Sequence, residues 1–154
     1  MNKVFLFVYG SLKKGFINEH ILEGCSLVID SCKTDKEYEM YPCKNYLFPY
    51  LYDTNREIGK QIKGELYELK RETVENKLDV FEGTDNGLYE RKTIKVILPN
   101  GEKLHAEAYI TIPTNENIID TEMECPITEW EQKHNEYGII CYNYIEKLKK
   151  ENKQ

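Results

Sequence analysis

Two strand-like runs, Tyr89 to Leu98 and Lys103 to Ile112, flank the tripeptide Pro99-Asn100-Gly101. Asn-Gly between such runs is the strongest short-range hairpin signal, because both residues tolerate the positive φ that a tight turn requires. This hairpin commits the chain to antiparallel pairing, and other segments extend the sheet. Val4 to Val8 is a continuous apolar run that reads as a strand buried on both faces. Leu27-Val28-Ile29 is an apolar strand piece. Leu47 to Tyr52 is apolar and aromatic, and Pro49 within it points to an edge strand or a bulge. Gln61 to Leu69 alternates Ile62, Gly64 and Leu66 against Lys63, Glu65 and Tyr67, which predicts a strand with one inward face.

Helical signals are fewer. Asn18 suits an N-cap, followed by Glu19 and by Ile21-Leu22 for a short helix. Arg71 to Glu82 carries Val74, Leu78 and Phe81 as one apolar stripe, with Gly83 where a helix commonly stops. Glu129 to Asn135 reads as helical, Thr114 to Cys125 as an acidic surface excursion, and Tyr142 to Gln154 as a C-terminal helix or tail. Strand signals outnumber helical ones, and no repeat or domain boundary is visible. The chain, residues 1–154, therefore reads as one α+β domain with a mixed or antiparallel sheet that curls toward a barrel.

Charge narrows the function classes. The net charge is −6, and the dense basic clusters are only Lys13-Lys14 and the segment from Lys147 to Lys150. A phosphate-backbone binder needs a basic stripe, so no nucleic-acid partner is expected. No stretch approaches the roughly 20 apolar residues of a membrane helix, and the apolar start is too short for a secretory signal. No membrane partner is expected either. The five cysteines include no Cys-x-x-Cys, and the three histidines are scattered without ligand spacing. A disulfide framework and a zinc site are both disfavoured, and a cytoplasmic location is expected.

The segment VYGSLKKG, Val8 to Gly15, follows the first apolar run. Gly10 and Gly15 have the outer spacing of a phosphate loop, but Phe16 and Ile17 stand where Lys and Ser/Thr are required. Two readings remain. One is a plain turn into a helix. The other is a nest of backbone N–H groups able to hold an anion or a carbonyl oxygen, with the Ser11 hydroxyl beside it.

Glu82 is the acid to watch. It lies next to Phe81 and four residues after Leu78, at the edge of the helix's apolar face and in its last turn. Partial burial and the helix C-terminus both disfavour its ionised form, which raises its pKa toward the range of general acid–base work. An exposed acid at a frayed helix end fits the same residues. No Ser-His-Asp or Cys-His set can be placed, and Tyr9, Tyr89 and Tyr142 are available to line a pocket.

FVYGSLKKG near the start, taken with IKGELYEL, FPYLY and LDVFEGTDNGLYERKTIKV, resembles the γ-glutamylcyclotransferase-like superfamily, most closely its γ-glutamylamine cyclotransferase branch. The resemblance runs through roughly residues 3 to 112, and the tail is similar only loosely. It implies a small α+β domain with a partly barrel-like sheet around a central cavity. It also implies a reaction: the α-amine of a γ-glutamyl amide, such as γ-glutamyl-lysine isopeptide, attacks its own γ-carbonyl, leaving 5-oxoproline and a free amine. The nucleophile then belongs to the substrate, and neither cofactor nor metal is called for. By the same resemblance Glu82 is the acid/base, and the turn Tyr9, Gly10, Ser11 and Leu12 holds the glutamyl group. Tyr89 shapes the pocket and Arg91 is structural. A γ-glutamyl-amino-acid cyclotransferase or a non-catalytic binding module would use the same fold. The oligomeric state is not legible.

Overall fold

The computed structural model describes residues 2–10, 12–16, 18–42, 49–53, 59–82, 84, 89–112 and 127–131. Seven strands are described: β1 Lys3–Val8, β2 Ser26–Thr34, β3 Glu39–Pro42, β4 Pro49–Tyr52, β5 Lys63–Lys70, β6 Tyr89–Ile97 and β7 Lys103–Thr111. Five of them form a closed barrel in the order β1-β5-β2-β6-β7, and β3 and β4 form a separate two-stranded sheet. The barrel closes through a parallel bridge between Leu6 of β1 and Glu107 of β7.

The predicted hairpin is the longest regular pairing, running from Tyr89↔Thr111 to Ile97↔Lys103. Its turn spans Pro99, Asn100 and Gly101. The Gly101 N–H donates to the Leu98 carbonyl at 2.9 Å, and the Leu98 N–H donates to the Glu102 carbonyl at 2.8 Å. Gly101 has a φ of 90°, the left-handed geometry that closes a three-residue hairpin loop.

Alternate strand residues sort into two apolar clusters. One holds Phe7, Tyr9, Leu66, Val96, Ala106, Ala108 and Ile110. The other holds Leu6, Val8, Tyr67, Leu69 and Tyr109, together with Val74 and Leu78 of the helix. The helix packs against the outer face of the barrel, so the first cluster fills the interior. This period-2 sorting explains why β1 reads as continuously apolar: each of its faces meets a different core.

β5 departs from its predicted one-sided pattern, for Glu65 and Tyr67 are buried as well as Gly64 and Leu66. β5 pairs with both β1 and β2, and its outer face is covered too. Glu65 lies under the turn after β1 and accepts the Lys14 N–H at 2.8 Å. Lys13, read as part of a basic cluster, is buried, and its Nζ donates to the Trp130 carbonyl at 2.6 Å.

Other expectations shift as well. The short helix is a 3-10 turn, Glu19–Leu22, and the Asn18 side chain makes no capping hydrogen bond. The Leu27–Ile29 piece is part of the longer β2, where Leu27 and Val28 are exposed. β4 is an edge strand beside Pro49's partner Pro42, as the proline requires. Glu129–Glu131 is irregular rather than helical, and the fully buried Trp130 side chain joins the interior cluster, which rules out a simple surface helix there. The remainder of that predicted helix, Gly83, the acidic segment from Thr114 to Cys125, and Tyr142 to Gln154 lie outside the described residues.

Candidate active site

At the end of the barrel where β1 and β7 finish and β6 begins, Phe7, Val8, Tyr9, Gly10, Leu12, Pro49, Glu82, Tyr89 and Tyr109 line a cavity of about 30 Å³. That is room for about two waters. Gly10 stands where a side chain would collide: a Cβ would meet Pro49 Cγ and Cδ at 2.8 Å. The Gly10 carbonyl accepts the Lys13 N–H at 3.1 Å, closing a turn from Gly10 to Lys13. Backbone therefore forms this wall.

Glu82 enters the cavity because its helix is not a regular α-helix. Arg71–Thr73 and Asp79–Glu82 are α-helical, but Val74–Leu78 between them is a π turn. The Asp79 N–H donates to the Val74 carbonyl, five residues back. A π turn takes up one extra residue, so every later side chain slips back by roughly 100° about the axis. On an unbroken α-helix with Val74 at zero, Phe81 would stand at roughly −20° and Glu82 at roughly 80°. The slip gives Phe81's place to Glu82 and turns Val80 and Phe81 outward. Val80 is 70% exposed and Phe81 40% exposed, which corrects the predicted stripe.

The surroundings act on the Glu82 carboxyl through desolvation. Its residue as a whole is half-buried, yet the carboxyl stands among the aromatic walls of the cavity and its pKa is pushed up to about 8 by burial. The neighbouring phenols stay neutral. Burial and the charge of Glu82 raise the Tyr9 pKa well above its ordinary value. Burial, and then the hydrogen bond to Asp79, do the same for Tyr109.

These phenols are also braces. The Tyr9 hydroxyl donates to the Tyr109 carbonyl. The Tyr89 hydroxyl donates to the Pro49 carbonyl at 2.6 Å, tying β4 to the barrel. The Tyr109 hydroxyl donates to Asp79 Oδ1 at 2.7 Å, and Arg91 Nε lies 3.3 Å from the same oxygen. The Thr84 hydroxyl donates to the Asp79 carbonyl at 3.2 Å and closes the helix end.

Residues 6–137 match the family described as γ-glutamyl cyclotransferase, AIG2-like. The chain belongs to this family. γ-Glutamylaminecyclotransferase A of Danio rerio is 34% identical over 112 residues, 69% of this chain and 68% of that protein. A provisionally named γ-glutamylcyclotransferase of Methanocaldococcus jannaschii is 36% identical over 105 residues, 68% of this chain and 82% of that protein. The crystal structure of an AIG2-like protein from Mus musculus shares the fold with a TM-score of 0.73 at 18% identity, covering 86% of this chain and 91% of that one.

Within this AIG2-like domain, Tyr9, Gly10, Leu12, Glu82 and Tyr89 line one cavity. Ser11 and Tyr142 lie outside the described residues. Arg91 sits off the cavity in ion pairs with Asp79 and Glu107. Tyr109 was not singled out in the sequence and Pro49 only as the mark of an edge strand, although a signal for Tyr109 was present. Once the turn at Pro99–Gly101 is known, the hairpin register places Tyr109 directly opposite Arg91. Among the described residues no cluster of His, Cys, Asp and Glu could hold a metal.

Proposed function

We propose that the protein is a γ-glutamylamine cyclotransferase acting in the cytoplasm, with Glu82 as the proton-transfer group. The observation that carries this reading is one carboxyl, desolvated so that its pKa is about 8, sharing a cavity with the backbone of the turn after β1. The Danio rerio relatives, named γ-glutamylaminecyclotransferases A and C, support the amine branch over the amino-acid branch.

In the proposed reaction the turn from Tyr9 to Leu12 holds the glutamyl group. Ionised Glu82 takes a proton from the α-ammonium. The freed amine nitrogen forms a bond to the γ-carbonyl carbon, and the carbonyl oxygen becomes anionic beside backbone N–H groups of the turn, which stabilise it. The C–N bond to the leaving amine then breaks as Glu82 returns the proton to that nitrogen; Glu82 next takes the extra proton from the ring nitrogen and passes it to the released amine, which departs as an ammonium ion, so no water is consumed. A carboxyl that is neutral at pH 7 is a competent donor for the second step, and the ionised minority near its pKa serves the first. Positioning amine against carbonyl supplies up to about 7–11 kcal/mol of the barrier.

The test is to offer γ-glutamyl-lysine isopeptide and measure 5-oxoproline and free lysine. Equimolar release of both is expected, with poorer turnover of γ-glutamyl-α-amino acids. A folded protein that turns over no γ-glutamyl amide overturns the proposal.

A further inference from the structure

The helix that carries Glu82 is pinned to the hairpin at both ends by one chain of ion pairs. Arg71, its first residue, places Nη1 2.6 Å from Glu107 Oε1 of β7. Arg91 of β6 places its own Nη1 3.5 Å from the same oxygen. Arg91 Nε then reaches Asp79 Oδ1, in the last helical turn, at 3.3 Å. The Tyr109 hydroxyl holds that same Asp79 oxygen, while the Tyr109 carbonyl receives the Tyr9 hydroxyl from the end of the neighbouring β1. Asp79, Arg91 and Glu107 are each at least three-quarters buried at the side chain, so removing one partner leaves the others short of a counter-charge in a poorly solvated place.

The π turn lies between the two pins. On an unbroken α-helix Asp79 would stand at roughly 140° from Val74 and Glu82 at roughly 80°, both off the packed face. With one extra residue in the turn, both move onto it. The helix thus reaches its anchor at Asp79 and its working position at Glu82 by the same slip.

We propose that Asp79 is the positioning residue for Glu82: clamped by Tyr109 and Arg91, it holds the π-shifted helix in the phase that keeps Glu82 in the cavity. Asp79 does not touch substrate; it acts through Glu82. The inference rests on the functional reading above for its kinetic arm and on geometry alone for its structural arm. Among the described residues, the titratable and charged groups around Glu82 are Tyr9 beyond β1, Tyr89 in β6, Tyr109 in β7 and, one turn back, Asp79 with Arg91.

The test uses Asp79→Ala and Tyr109→Phe, each checked for retained fold by circular dichroism. In the kinetic arm, Asp79→Ala lowers kcat for a γ-glutamyl amide by about 10- to 100-fold, as expected for a misplacement near 1 Å, with KM within about threefold. Tyr109→Phe does the same more weakly. In the structural arm, carbon NMR of the Glu82 carboxyl follows its titration with no substrate present. Tyr109→Phe keeps every formal charge, so a fall of the Glu82 titration toward the ordinary carboxylate range reports lost position rather than lost charge. Full kcat with an unmoved Glu82 titration in Tyr109→Phe and Asp79→Ala overturns the inference. If Asp79→Ala does not fold, Tyr109→Phe decides. If the wild type turns over no γ-glutamyl amide, the functional reading fails while the NMR arm still judges the clamp.

Discussion

Glu82 shows how a single side chain acquires its chemistry from its surroundings. Its folded pKa of about 8 lies above the ordinary carboxylate value because burial penalises the charge. Between the ordinary value and 8 the folded state binds more protons than the unfolded state, so this group's contribution to stability is full at low pH and is lost as pH rises through 8. Glu82→Gln removes that loss. Its Tm relative to wild type should therefore climb by a few degrees between pH 5 and pH 9, read by calorimetry at each pH. The same variant should lower kcat by about 10²- to 10⁴-fold, the usual contribution of a general acid–base group. In the wild type kcat/KM should rise with pH and level off above about 8 as the base form fills. Gly10 sits across the cavity. Gly10→Ala drives a methyl group to 2.8 Å from the Pro49 ring. A KM raised several-fold and a stability loss of about 1–3 kcal/mol are expected, measured by steady-state kinetics and urea denaturation.

Among the elements, the helix at residues 71–82 departs most from its sequence pattern. Val74, Leu78 and Phe81 match a period of 3.6, and the predicted stripe follows from that match. The period fails where a π turn intervenes. No single residue in Val74–Leu78 announces that turn. β5 offers the complementary case. Its alternation was legible, yet both its faces are covered, because a strand between two neighbours can be overlaid by segments distant in sequence. Gly64 within it marks a close approach, where a Cβ would strike the Val8 carbonyl and come within 2.7 Å of the Phe7 ring. Gly64→Ala should cost about 1–3 kcal/mol in urea denaturation and disturb Phe7, a wall of the cavity.

For the whole molecule, the barrel closes only when β1 meets β7 in parallel, which joins segments about a hundred residues apart in the chain. Trp130 belongs to the same scale. It comes from an irregular segment after the barrel strands, yet it is fully buried in the interior cluster, and its carbonyl receives the buried Lys13 ammonium. Trp130→Ala should cost about 3–5 kcal/mol, seen as a lower urea midpoint, the largest stability loss predicted here. Local pattern sufficed for much of the rest. The hairpin was set by Asn100-Gly101 between two strand-forming runs, β1 by its unbroken apolar run, and the edge character of β4 by Pro49. Glu82 could be named from its place at a helix end, but the residues fitted an exposed acid equally, and it was the family resemblance that singled it out. Tertiary structure decided the phase of that acid, the identity of Tyr109 and Asp79 as its supports, and the closure of the sheet. Those outcomes depend on residues far apart in the chain meeting at fixed distances, whereas periodicity and turn chemistry reach only a few residues along it.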